Sequence, residues 1–123
     1  MAHPLHILFV CGESWRRSST AEKIFATDPR FSARGAGLGE TVTRRIKDED
    51  LAWADLVLVM ERKYLGRLQH AFRHLETLPP IDVLGIPDKF IFMHRALVER
   101  LREGVDEALE RYHLEHDPAS PSE

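Results

Sequence analysis

The chain has 123 residues, 43% of them hydrophobic and 30% charged, with a formal net charge of −3. This is globular composition on a chain long enough to bury a core without disulfide or metal staples. The acidic balance argues against general nucleic-acid affinity, the single cysteine excludes an internal disulfide, and no apolar run reaches the length of a membrane span. The N-terminal stretch MAHPLHILFVCG has neither the basic region nor the apolar length of a signal peptide, so a cytoplasmic protein is expected.

Leu5 to Val10 is a short, almost continuous apolar run, which predicts a strand buried on both faces. Ser19-Thr20-Ala21-Glu22 fits the S-x-x-E capping box and predicts a helix beginning there and stopping at Asp28-Pro29. Phe31 to Gly37 reads as a weaker strand. Residues 38–54 read as loop with a short helix from Asp48 to Trp53, whose three leading acids suit a helix start. Asp55 to Met60 is a second buried strand and Glu61 to Phe72 a helix. Ile81 to Leu84 is a final strand, followed by a loop, Gly85 to Phe90. Leu97, Leu101, Val105, Ala108, Leu109 and Tyr112 form an apolar stripe for a last helix over Arg95 to Tyr112. Residues 1–116 are read as one domain and 117–123 as a disordered tail.

Alternating strands and helices predict an α/β, three-layer fold, a four-stranded parallel sheet with helices on both faces. Ligands of such sheets sit beyond the C-terminal strand ends, near a topological switch point. Cys11 falls at such an end, and Asp88 falls in the loop after the last strand.

Cys11 and Arg17 are separated by five residues. A strand-to-helix loop of this length can turn its N–H groups inward and adds the positive end of the helix, which makes an anion cradle. Arg17 supplies a planar fork for two oxygens. The same field stabilises a thiolate, so the Cys11 pKa is expected below its ordinary value. Taken singly these features are bland: strand-end cysteines are commonly just buried, loop arginines are commonly solvated, and serines cap helices. Cys-x5-Arg-Ser flanked by a buried strand and a capped helix is much more specific.

On ILFVCGESWRRSSTAEKIF, GAG (35–37), WADLVLVME (53–61) and IPDKF (86–90), the chain resembles the low-molecular-weight protein tyrosine phosphatase family, in particular a short bacterial branch. The resemblance implies a hydrolase that cleaves phosphotyrosine or small aryl phosphates through a phosphocysteine. Cys11 would be the nucleophile. The backbone of Gly12, Glu13, Ser14, Trp15, Arg16 and Arg17, with the Arg17 guanidinium, would bind the phosphate. Ser18 would hydrogen-bond the sulfur, and Asp88 would be the general acid. Trp15 and Phe90 would flank the substrate. No metal or other cofactor is implied, and the expected partner is a phosphotyrosine protein or an aryl phosphate, not nucleic acid or membrane.

Three positions depart from that family pattern. Glu13 stands where a small residue is usual and must point outward, for instance toward Arg16, to be harmless. Ser14 replaces an asparagine held in left-handed backbone conformation. Ser19 replaces a proline. Arg16 stands where many members have a second cysteine, so no protective disulfide can form. A weakly catalytic phosphate- or phosphoprotein-binding module on the same fold is the alternative, and a redox sensor built on Cys11 lacks its resolving thiol. The pairs His70/His74 and His113/His116 read as surface histidines, and Arg44, Arg45 and Lys47 as solvated.

Overall fold

The computed structural model describes residues 4–40 and 42–116; the tail 117–123 lies outside the described residues. The elements follow in the order β1 (Leu5–Cys11), α1 (Arg16–Ile24), β2 (Phe31–Gly37), α2 (Asp48–Trp53), β3 (Leu56–Val59), α3 (Lys63–Ala71), β4 (Ile81–Val83) and α4 (Arg95–His116). The four strands are parallel, in the order β2-β1-β3-β4.

Successive side chains of a strand point to opposite faces. In β1, Ile7, Leu8, Phe9 and Val10 are all fully buried, as are Val57, Leu58 and Val59 of β3. Both faces of the sheet centre are therefore covered, as the unbroken apolar runs predict. On one side α1 packs on β1 and β2 and against α4. The α4 stripe of Leu97, Leu101, Val105, Ala108 and Leu109 is buried as expected. This helix runs one turn past Tyr112, where the His116 ring stacks on the Tyr112 ring at 4.4 Å and its Nδ1 meets the Tyr112 carbonyl.

The start of α1 is a correction. It begins at Arg16, three residues before the expected cap. The Ser19 N–H already donates to the Trp15 carbonyl (2.8 Å), and the Ser19 hydroxyl donates to the Arg16 carbonyl instead of capping a free N–H. Arg16, Arg17 and Ser18 thus form the first turn of the helix, and its geometry carries Arg17 and Ser18 inward.

From β1 the chain moves to β2 on one side, whereas β3 leads to β4 on the other. The switch point lies between β1 and β3, and in this sheet type that crevice is the natural ligand position. Val10 is paired with Val59, so the loop after Cys11 and the loop after Met60 emerge side by side.

Candidate active site

Three strand ends supply the site. Cys11 ends β1, Glu61 follows β3, and Ile86 to Asp88 follow β4. The ladder continues past β1: Leu38 N–H donates to the Cys11 carbonyl and Gly39 N–H to the Gly12 carbonyl, which pins the loop on its β2 side. Close approach explains two glycines. A Cβ at Gly12 would lie 2.7 Å from Tyr64 Cε1 and Oη, and one at Gly35 would lie 2.8 Å from the Ser18 carbonyl oxygen.

Arg17 is fully buried. Its Nη1 donates to Glu61 Oε2 and to the Ile86 carbonyl, both at 2.6 Å, and its Nη2 donates to Tyr64 Oη at 3.0 Å. A guanidinium has five N–H donors in a rigid plane. Three have partners here, and the buried Nε has none. What remains is Nε–H with one Nη2–H. Such an edge suits two oxygens of one anion. Asp88 Oδ1 stands 3.9 Å from that Nε and 4.0 Å from Arg16 Nη2.

Cys11 Sγ lies 3.0 Å from Ser18 Oγ, and Ser18 Oγ also donates to the Trp15 carbonyl at 3.2 Å. Those contacts fit a protonated thiol donating to the serine while the serine donates onward. The expectation of a lowered thiol pKa is overturned: burial pushes the Cys11 pKa up from its ordinary value of 9.0. The Ser18 hydrogen bonds and the Arg17 charge pull it down, and the Asp88 charge adds to the rise. The physical reason is that Cys11 has no solvent exposure and Arg17 already faces two carboxylates. Glu61 and Tyr64 in turn keep the Arg17 pKa raised against its own burial.

The remaining expected site residues are placed as follows. Glu13 is 70% exposed in its side chain and turns outward to Arg67 (3.5 Å), not to Arg16. Arg16 Nε instead donates to Ser14 Oγ (2.9 Å). Ser14 is not left-handed; among the described residues the non-glycine residue with positive φ is Met93. Trp15 sits at the N-cap of α1, 48% exposed, and Phe90 is half-buried near His94. Glu61, Tyr64 and the Ile86 carbonyl were not singled out as site groups from sequence. Register carries the signal for Glu61: with Val10 opposite Val59, the acid two residues past Val59 falls beside Gly12. No helix among the described residues is long and apolar enough to cross a membrane.

The architecture is that of the low-molecular-weight phosphatases, a parallel sheet with a cysteine-bearing loop at its switch point. No family model matches the sequence, and none of the curated proteins is similar to it in sequence. Among solved structures, the YwlE arginine phosphatase from Geobacillus stearothermophilus is similar at 22% identity and a TM-score of 0.67, covering 92% of this chain and 97% of that one. SP-PTP, a low-molecular-weight protein tyrosine phosphatase from Streptococcus pyogenes, has 16% identity and a TM-score of 0.67, over 91% and 98% of the two chains. The Drosophila arginine phosphatase DARP has 20% identity and a TM-score of 0.62, over 94% and 99%. TM-scores of 0.62 to 0.67 at this coverage establish a shared fold over nearly the whole chain.

Proposed function

We propose that the chain is a cysteine-dependent phosphatase acting on phosphate monoesters, in the first place aryl phosphates such as phosphotyrosine. The observation that carries this reading is Arg17: a wholly buried arginine whose Nε–H has no partner, in the helix turn that also brings Ser18 to the Cys11 sulfur. Burying an unmatched charged donor is costly, and an anion at that edge removes the cost.

Phosphate oxygens take the place that the Asp88 carboxylate holds beside Arg17 Nε. In the proposed reaction Cys11 and Asp88 work with one proton between them. In the reactive form that proton sits on Asp88, leaving a thiolate and a carboxylic acid. The S–P bond then forms as the ester O–P bond breaks, and Asp88 gives its proton to the leaving oxygen. In the second step Asp88 takes a proton from water, whose oxygen attacks phosphorus and releases the thiolate. Arg17 and the N–H groups of residues 12–17 hold the equatorial oxygens through both steps. Ser18 turns to donate to sulfur whenever it is anionic. The exposed Trp15 indole and Phe90 form flat walls for an aryl leaving group.

Two of the similar structures are arginine phosphatases, so the test has two substrate arms. p-Nitrophenyl phosphate and a phosphoarginine peptide are offered with chelator present, to the wild type, Cys11→Ser and Asp88→Asn. Aryl phosphate turnover abolished by the first change and strongly reduced by the second is expected. Turnover of the peptide alone would replace the aryl reading. A second reading, a phosphate-binding module with weak turnover, draws on the thiol proton held by burial. Phosphate binding by a reduced, folded wild type with no turnover of either substrate would establish it.

A further inference from the structure

Arg17 cannot set its own orientation. A buried guanidinium can rotate about its long stem, and only external acceptors decide which edge faces the ligand. Two of those acceptors are a carboxylate and a backbone carbonyl. The third is the phenol of Tyr64, which is almost fully buried and not part of the Cys-x5-Arg loop. The same ring lies against Gly12, the first residue after the cysteine, so closely that any side chain there would collide with it. One residue therefore touches both the start of the loop and the arginine at its end. One turn further along α3, Arg67 lies over the Tyr64 ring with its Cζ 5.8 Å from the centroid, and its Nη2 reaches Glu13. On the loop's β2 side two backbone bonds pin Cys11 and Gly12, and further along Ser14 Oγ accepts from the exposed Arg16 side chain.

We infer that α3 is the external brace of this loop, with Tyr64 as a positioning residue. Its hydroxyl fixes Arg17 so that Nε–H and the free Nη2–H face the ligand, and its ring fixes Gly12. Arg67, three residues on, draws the Glu13 carboxylate away from the anion position. The idea rests on the phosphatase reading for its turnover arm, but not for its binding arm.

The test compares the full chain as wild type and Tyr64→Phe, which removes the hydroxyl and keeps the ring over Gly12. Inorganic phosphate affinity and p-nitrophenyl phosphate kinetics are measured on both. A hydrogen bond to a charged group being lost, phosphate affinity is expected to fall about tenfold and KM to rise by a similar factor. The melting temperature should fall by no more than about 5 °C. A purely structural role would lower the active fraction, and so kcat, while leaving KM and phosphate affinity unchanged; that result overturns the inference. In the wild type, nitrogen NMR of Arg17 gives an answer independent of any variant. Phosphate should shift Nε strongly and the Nη1 protons, held by Glu61 and Ile86, much less; equal shifts overturn the proposed orientation. If the wild type binds phosphate without turnover, the phosphatase reading fails and Tyr64 is still judged by affinity. If it does neither, both readings fall.

Discussion

Two of the arginine–carboxylate clusters among the described residues, those around Asp50 and Arg17, differ in one respect. Around Asp50, which is buried in α2, no buried side-chain nitrogen or oxygen among the described residues lacks a partner. Its Oδ1 takes Arg34 Nη1 (3.2 Å) and Arg44 Nη2 (2.9 Å), and its Oδ2 takes the Lys47 N–H (2.9 Å). Arg44 also donates to the Gly35 carbonyl, and Arg34 stacks on Trp53 with its Cζ 4.1 Å from the ring centroid. Around Arg17 the partners stop short: the buried Nε–H has none, and one Nη2–H is left beside it. A cavity of about 480 Å³, lined in part by Arg34, Arg44 and Arg45, lies at the satisfied cluster. Volume is therefore a poor guide to the site here, and unmet hydrogen bonding is a better one. A closed network holds α2 to the sheet; an open one leaves energy for a ligand.

The contrast can be broken by removing each cluster's centre. Arg17→Ala should lower kcat/KM for an aryl phosphate by about 10²–10³-fold, the cost of a lost transition-state donor. Steady-state kinetics checks this, and a variant retaining wild-type turnover would leave Arg17 a purely structural residue. Glu61→Gln strips a buried charge of its closest counter-ion and should cost about 3 kcal/mol of stability, read by urea denaturation. Asp50→Asn is the matching change in the closed cluster. Its arginines are partly exposed, so the loss should be smaller, about 1–2 kcal/mol, with kcat/KM unchanged.

The thiol sharpens the comparison further. Since Asp88 raises the Cys11 pKa and Ser18 lowers it, iodoacetamide alkylation of Asp88→Asn should reach its midpoint at lower pH than wild type, and Ser18→Ala at higher pH. A folded-state pKa above the unfolded one means that the folded protein holds this proton more tightly. Its contribution to stability is complete below the ordinary value of 9.0 and is lost as pH climbs through the folded value. Cys11→Ser should abolish that alkaline loss in denaturation curves recorded across pH. The smallest effect is expected at Arg67→Ala: its pair with Glu13 is exposed, so phosphate affinity should fall by no more than about threefold.

Much of this was legible along the chain. The apolar runs of β1 and β3 declare strands covered on both faces, and the α4 stripe declares its buried side. The Cys-x5-Arg-Ser spacing puts the cysteine, arginine and serine in one loop and helix turn. The sequence pattern places the helix start too late, because Ser19-x-x-Glu22 satisfies a capping pattern while lying inside a helix that begins at Arg16. Arg44 was read as solvated, yet it closes on Asp50, a pairing with no local pattern to announce it. Asp50 itself was read only as part of an acidic first turn, and nothing in Asp48-Glu49-Asp50 says which of the three turns inward.

By itself, then, the sequence determined the layers, the parallel order of strand and helix, and the loop that joins Cys11 to Arg17. These follow from periodicity and from contacts a few residues apart. Tertiary structure decided what those groups are chemically. It buried Cys11, so that loss of water raises the thiol pKa that the helix end was expected to lower, turned Glu13 toward Arg67, and set Glu61, Tyr64 and the Ile86 carbonyl around Arg17. Those partners come from 44 to 69 positions away. Electrostatics depends on distance in space and on exclusion of water, and neither is written in the spacing of residues along a chain.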